Sequence, residues 1–333
     1  MNSLSTILLL FSLTLTSVQA ATLTLVEEFG DNPADIKMYI YVPAHMPAQA
    51  PLVVSLHGCT QDAETYSHAG WIKLAEKWKF YLVFPEQTTA NNIYRCWNWY
   101  EADNNHRGRG EAESIMEMIA KMKSDYSIDV RRIYVEGLSA GGWMASDLLA
   151  SWPDVFAGGA TIAGGPAFCA MTERYYWDYF GWWYNYFGVY NSQQCMAGTD
   201  KTPAEWGDLV REEGYKEFNG HWPVISIWQG SADDTVRKIN QQELLDQWTN
   251  VQGIDEVPDK QEKLGPNTNV IHNEYQDHAG KALVETWLIP GMTHGTSIAV
   301  DAKHSCGEEG DYILNEGICA VRQIAHFWGL DKN

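Results

Sequence analysis

The sequence predicts an α/β protein in which helices cover both faces of a mostly parallel sheet. Three observations predict it. Short β-rich runs alternate with helical patterns from end to end of the chain. Several of those runs are apolar at nearly every residue, as strands covered on both faces require. The residues best fitted for chemistry fall in loops that leave the carboxyl ends of predicted strands, where such sheets bind their ligands.

Taken in order, "IKMYIYVP" (36–43) alternates like a strand, and "PLVVSLHG" (51–58) and "FYLVFPE" (80–86) are compact buried strands. Residues 62–79 carry helical spacing, with Trp71, Leu74, Ala75 and Trp78 on one side. "GEAESIMEMIAKMKSDY" (110–126) is a helix whose apolar stripe is Ile115, Met118, Ile119 and Met122. The strand "RRIYVEG" and the helix "GGWMASDLLASW" follow. Later come the strand "VISIWQG", a helix near "NQQELLDQWTNVQG", the strand "ALVETWLIP" and a C-terminal helix around "GICAVRQIAHFWGL".

The first 20 residues read as a secretory signal cleaved after Ala20, since an apolar run ends in small residues at Val18 and Ala20. The rest, 21–333, has no second long uncharged apolar run, so no membrane span is expected in the mature chain. It has no linker or repeat and reads as one catalytic domain. A formal charge of −20 argues against nucleic acid and anionic membrane surfaces as partners. Six cysteines in an exported chain imply three disulfides. No Cys-x-x-Cys or His-x-x-x-His spacing accompanies them, so no metal site is expected.

The chemistry begins at "YVEGLSAGGWMA". Gly137-Leu138-Ser139-Ala140-Gly141 is a G-x-S-x-G sequence between a predicted strand and a predicted helix, the setting of a nucleophile elbow. A serine hydroxyl needs a histidine to take its proton and a carboxylate to orient that histidine. In an α/β-hydrolase both follow the serine along the chain, acid first. The loop "QGSADDTV" offers Asp233 and Asp234, and "GMTHGT" offers His294. Asp233 is assigned as the acid, with Asp234 the alternative if the turn differs by one residue, and His294 as the base. His326 reads as a packing residue; His272, His278 and His304 lack a strand-end setting and read as surface residues.

Acyl transfer also needs fixed N–H donors for the developing oxyanion. The backbone of Ala140 supplies one, and the loop "LHGCTQ" the other, with the Cys59 N–H as candidate. His57 shapes that loop and is a candidate substrate contact. A Cys59–Cys96 disulfide would tether it to "YRCWNWY". Cys169–Cys195 and Cys306–Cys319 are the other expected pairs.

Together, "LHGCTQDAETY", "FPEQ", "RCWNWY", "GEAESI", "RRIYVEGLSAGGWMA", "PDVFAGGATIAG", "TPAEWGDLVR", "SIWQGSADDTV", "LLDQWTNVQG", "GMTHGT" and "IAHFWGL" resemble the catalytic domain of extracellular poly(3-hydroxybutyrate) depolymerases. The wider group includes feruloyl and acetylxylan esterases. The resemblance runs from about residue 36 to the C-terminus. It implies Ser139, Asp233 and His294 as triad and the His57-Gly58-Cys59 stretch as oxyanion loop. It further implies hydrolysis of poly- or oligo-3-hydroxybutyrate esters through an acyl-serine, without metal or cofactor. The alternatives are an esterase of acylated plant polysaccharide and, more remotely, a non-catalytic binding protein.

One segment needs a separate account. "YYWDYFGWWYNYFGVY" (175–190) holds eleven aromatic side chains in sixteen positions. It lies between the nucleophile's helix and the acid's strand, bracketed by Cys169 and Cys195. It reads as a cap excursion, about 169–195, in which Trp182 and Trp183 grip the substrate chain.

Overall fold

The computed structural model describes residues 22–170, 191–264, 269–300 and 305–332. The expected signal segment and the aromatic stretch 175–190, with Trp182 and Trp183, lie outside the described residues, as does His304.

The strands, in chain order, are β1 (Thr24–Val26), β2 (Lys37–Tyr41), β3 (Ala50–Leu56), β4 (Tyr81–Glu86), β5 (Ile128–Leu138), β6 (Gly158–Ile162), β7 (Val224–Gly230), β8 (Lys260–Leu264), β9 (Val270–Gln276), β10 (Ala282–Ile289), β11 (Thr296–Ile298) and β12 (Ile313–Asn315). The first ten form one sheet in the order β1-β2-β4-β3-β5-β6-β7-β10-β9-β8. From β4 to β10 every neighbouring pair is parallel. Antiparallel strands extend both edges. This is the α/β-hydrolase architecture.

Helices α1 (Ala63–Ser67), α2 (Trp71–Trp78), α3 (Ala102–Asn105), α4 (Gly110–Asp125), α5 (Ala140–Ser151), α6 (Pro203–Glu213), α7 (Ile239–Gln252) and α8 (Ala320–Phe327) connect or flank the strands. The apolar runs fit because each face of the sheet has its own core. In β3, Leu52, Val54 and Leu56 point into the cluster under α4, α5 and α7, while Val53 points to the one under α1, α2 and α8. Alternation along a strand sends neighbours to opposite faces, so a doubly covered strand needs apolar residues throughout.

Three features differ from the sequence expectation. The helix expected over 62–79 is two helices, α1 and α2, broken at His68–Gly70. Gly70 has φ +114°, and a Cβ there would come within 2.9 Å of the Gly307 backbone nitrogen, so chain packing from residue 307 sets the break. The charged hairpin β8–β9 extends one edge; β8 (KQEKL) is exposed along nearly its whole length, which blunts that edge against further pairing. His272 is no surface residue. It sits in β9, buried, with Nε2 3.0 Å from Glu285 Oε2 and its ring stacked 3.9 Å from Trp287. Cys59–Cys96, Cys169–Cys195 and Cys306–Cys319 are bonded.

Candidate active site

Ser139 occupies the turn between β5 and α5, with φ 58° and ψ −119°, a conformation that a non-glycine residue adopts only under constraint. The constraint is visible in the flanking glycines. A Cβ on Gly137 would meet the Gly141 carbonyl at 2.3 Å, and one on Gly141 would meet the Leu56 oxygen at 2.4 Å. Only glycines let strand, turn and helix approach so closely. The Ser139 N–H donates to the Ile162 carbonyl at 2.8 Å, which pins the turn to β6.

Asp233 and His294, the expected acid and base, lie on the loops after β7 and β10. His294 Nδ1 lies 2.8 Å from Asp233 Oδ2. Asp233 is fixed in turn: Oδ2 accepts from Gln229 Nε2 at 3.1 Å, and Oδ1 from the Thr235 and Val236 N–H groups at 2.9 and 2.8 Å. Its side chain is fully buried, whereas Asp234 beside it is exposed. The histidine contact therefore belongs to Asp233. Its bond through Nδ1 leaves His294 Nε2 without a hydrogen-bond partner among the described residues.

Across from the base, β3 runs into the loop His57–Gln61. The Gly58 N–H donates to Gln61 Oε1 at 2.9 Å, so it is occupied, while the Cys59 N–H has no acceptor among the described residues. Ala140 is the first residue of α5, so its N–H lacks an intrahelical partner. The Cys59–Cys96 disulfide joins this loop to the one after β4.

His57 does not face substrate, which corrects that expectation. Its ring is fully buried; Nε2 accepts from the Gln87 N–H at 3.0 Å, and Nδ1 donates to the Gly58 carbonyl at 2.7 Å. With both nitrogens committed to backbone, the neutral Nδ1–H form is fixed. Burial pushes its pKa down to about 4.

Ser139, Ala140, Cys59 and His294 line one cavity of about 400 Å³. Its walls include residues that sequence reasoning had not assigned: Trp99, Trp143, Tyr94, Tyr312 and Met196. Trp99 and Trp143 stack with centroids 4.4 Å apart, forming an apolar wall beside the elbow. Tyr312 packs edge-on to His294 at 5.9 Å. "RCWNWY" carried the signal for Trp99, as an aromatic cluster after a strand end, but nothing in the sequence pointed to Tyr312. Among the described residues no cluster of three or more His, Cys, Asp or Glu side chains is arranged to hold a metal ion.

Two buried carboxylates stand behind the loops. Glu111 accepts from Gln87 Nε2 (2.6 Å), the Asn98 N–H (2.8 Å) and Asn98 Nδ2 (2.6 Å), and burial still pushes its pKa up to about 8. Glu136 accepts from Ser55 Oγ, Trp71 Nε1 and Tyr66 OH, and burial pushes it up to about 7.

Comparisons with known proteins place the whole chain in a family. Residues 36–172 match the family model described as esterase PHB depolymerase. The chain is 45% identical over 340 residues to poly(3-hydroxyalkanoate) depolymerase C of Paucimonas lemoignei, covering 99% of this chain and 77% of that protein. It is 31% identical over 254 residues to a probable acetylxylan esterase A of Aspergillus flavus, covering 75% and 78%. The solved structure of an acetyl xylan esterase from Aspergillus awamori superposes with a TM-score of 0.74 at 25% identity, over 93% of this chain and 99% of that one. With 45% identity to a polyhydroxyalkanoate depolymerase over nearly its whole length, the chain belongs to the PHB depolymerase esterase family and is a carboxylic ester hydrolase.

Proposed function

We propose that this esterase hydrolyses the ester bonds of short-chain poly- or oligo-3-hydroxyalkanoates, 3-hydroxybutyrate above all, through an acyl-serine intermediate. The observation that carries the reading is the 2.8 Å Asp233–His294 pair beside the cavity lined by Ser139, Cys59 and Ala140, in a chain 45% identical to a named polyhydroxyalkanoate depolymerase. Ser139 Oγ attacks the ester carbonyl while His294 Nε2 takes its proton. Asp233 holds the imidazole by Nδ1 and stabilises its positive charge. The N–H groups of Cys59 and Ala140 receive the oxyanion. Collapse breaks the ester C–O bond, and His294 returns the proton to the departing alkoxide, which leaves as a hydroxyl chain end. Water, deprotonated by His294, then attacks the acyl-serine; the acyl C–Oγ bond breaks, His294 returns the proton to Ser139 Oγ, and a carboxylic acid and the free serine result.

The Trp99–Trp143 wall supports a short aliphatic acyl group, because it supplies apolar surface and no charge. Trp182 and Trp183, in the excursion closed by Cys169–Cys195, are proposed to grip the chain outside the cavity. Their replacement by alanine should weaken adsorption to polymer and leave soluble-ester turnover intact. Residues 1–20 are proposed as the export signal of a single catalytic domain over 21–333, a reading that three disulfides support. Secreted protein beginning at Ala21 is the expected result of N-terminal sequencing.

The deciding experiment compares wild type with Ser139→Ala on an amorphous poly(3-hydroxybutyrate) suspension and on a soluble butyrate ester. Clearing and ester cleavage that both vanish in Ser139→Ala are expected, with a loss on the order of 10⁶-fold in kcat. Ester cleavage without clearing moves the substrate to oligomers. Activity on acetylated xylan but not on hydroxybutyrate oligomers would instead favour the polysaccharide esterases among its relatives.

A further inference from the structure

Glu136 takes no part in the chemistry just described, yet it sits three residues before Ser139 in β5, with no exposed surface. A buried carboxylate is costly, and an apolar side chain would fill the same place in the core without that cost. Its contacts show what it connects. Oε1 accepts from Ser55 Oγ at 2.6 Å and from Trp71 Nε1 at 2.8 Å, and Oε2 from Tyr66 OH at 3.0 Å. The Tyr66 hydroxyl also lies 3.4 Å from Thr296 Oγ1. Ser55, Tyr66, Trp71 and Thr296 are all buried.

These partners belong to the three arms of the site. Ser55 stands in β3, directly opposite Glu136 in the sheet and four residues before Cys59. Thr296 opens β11, two residues after His294, and its N–H donates to the Tyr312 carbonyl at 2.8 Å. One carboxylate therefore reaches the oxyanion arm directly, the nucleophile's strand covalently and the base arm through a tyrosine hydroxyl. Parallel strands β3 and β5 are already in register through backbone bonds; the base arm has no strand pairing with β5. Among the described residues, the Glu136–Tyr66–Thr296 chain is the polar link between them.

We propose that Glu136 is a positioning residue for ester hydrolysis, and that through Ser55 and the Tyr66–Thr296 pair it sets the approach of His294 to Ser139 and of the oxyanion loop to both. The proposal rests on the triad roles given above. A displacement of about 1 Å in a reacting group can cost up to 100-fold in rate, so this linkage acts on kcat. The apolar wall of Trp99 and Trp143 is not among its partners, so KM is expected to hold.

The test uses Glu136→Gln, Tyr66→Phe and the double variant, with Ser139→Ala as control. For each, kcat and KM on a soluble butyrate ester are measured, with the rate at which a phosphonate labels Ser139 and the unfolding midpoint. Glutamine keeps the shape but turns an N–H₂ group towards one of the donors. Phenylalanine keeps the packing of ring 66, the carboxylate and two of its donors. Each single variant is expected to lower kcat and the labelling rate about tenfold, with KM within about twofold of wild type. The double variant should fall well short of a hundredfold loss, because both changes cut the same chain. Wild-type kcat in a folded Tyr66→Phe overturns the proposal, as does a rise in KM without a fall in kcat. Tyr66→Phe alone decides if Glu136→Gln does not fold. Activity surviving in Ser139→Ala would instead overturn the triad reading, so the two failures are distinguishable.

Discussion

The two arms that flank Ser139, to which the proposed mechanism gives the oxyanion donor and the general base, are held in different ways. The oxyanion arm, residues 57–62 with 87–98, is cross-linked many times over. It has the Cys59–Cys96 disulfide, the Thr60 N–H on the Tyr94 carbonyl at 2.6 Å, Arg95 on Asp62 at 3.1 Å and on the Thr60 carbonyl at 2.9 Å, and the Trp97 indole on the His57 carbonyl at 2.9 Å. The base arm, residues 290–296, has no covalent staple. Its backbone is held by the Ala232 N–H on the Met292 carbonyl (3.0 Å), the Gly291 N–H on Ser231 Oγ (2.8 Å) and the Thr296 N–H on the Tyr312 carbonyl (2.8 Å). Among the described residues, His294 itself is gripped at one nitrogen only. Gln61 Nε2 donates to the Asp311 carbonyl at 2.7 Å, next to the Tyr312 carbonyl that holds the Thr296 N–H, so the arms are joined through residues 311–312. The difference follows from their tasks. Oxyanion donors must already point at a fixed spot before charge develops there. In the proposed mechanism the general base serves three oxygens in turn, those of the nucleophile, the leaving group and the attacking water, and needs a fixed tautomer with a little freedom at the other nitrogen.

The comparison can be broken from either side. The largest effect is expected on the base arm: Asp233→Asn should lower kcat by roughly 10⁴-fold, since an amide cannot fix the Nδ1–H tautomer or stabilise the imidazolium. Kinetics on a soluble ester, with a near-native circular dichroism spectrum, checks this. A loss below about tenfold would mean that Asp233 does not orient His294.

Opening the staple of the other arm comes next. Replacing Cys59 and Cys96 together by serine should lower kcat by up to about 10²-fold, as loss of one oxyanion donor does, and destabilise the fold by about 2–4 kcal/mol. Denaturant unfolding measures the second, and the two effects should separate. At low temperature, where the variant is fully folded, the rate deficit should persist. If it disappears, the disulfide serves stability alone.

Arg95→Ala should do much less. The pair with Asp62 is about one-third exposed on each side (32% and 31%), so a loss of up to about 1 kcal/mol in stability is expected. A rate change of more than about fivefold in folded protein would show that this pair, rather than the disulfide, fixes the loop.

The smallest test is one of pH. Glu111, behind the oxyanion arm, has its folded pKa pushed up to about 8 by burial, against an ordinary value of 4.5. Between these pH values the native state holds a proton that the unfolded chain has released. Its contribution to stability is therefore complete below about pH 4.5 and is lost as pH rises through about 8. Glu111→Gln stays neutral throughout, so from pH 5 to 8 the wild-type unfolding midpoint should fall relative to that of the variant. His57 acts in the opposite sense over a lower window. Its folded pKa of about 4 means stability is lost as pH falls from about 6.5 towards 4. Parallel midpoint curves for wild type and Glu111→Gln would show that Glu111 is ionised across the range.

The turn at Ser139 and the strand-end positions of Asp233 and His294, the residues proposed for catalysis, were legible in the sequence because their signals are local. Glycine at 137 is forced by a turn within five residues, and a strand end followed by an acid or a histidine is a pattern of a dozen. The parallel core was legible for the same reason, since a strand covered on both faces must be apolar throughout. What the sequence could not reveal depends on contacts far apart in the chain. Gly307 breaks the helix expected over 62–79, Glu285 and Trp287 draw His272 into the sheet, and Gln87 turns His57 from a candidate substrate contact into a clamp. Likewise, Glu136 reads as one acidic residue in an apolar strand until Ser55, Tyr66 and Trp71 close around it. By itself the sequence determined the sheet and the serine elbow's position between strand and helix, because steric and periodic rules act on neighbouring residues. Only the tertiary structure decided how the arms are held, because burial and hydrogen-bond partners come from residues 30 to 250 positions away.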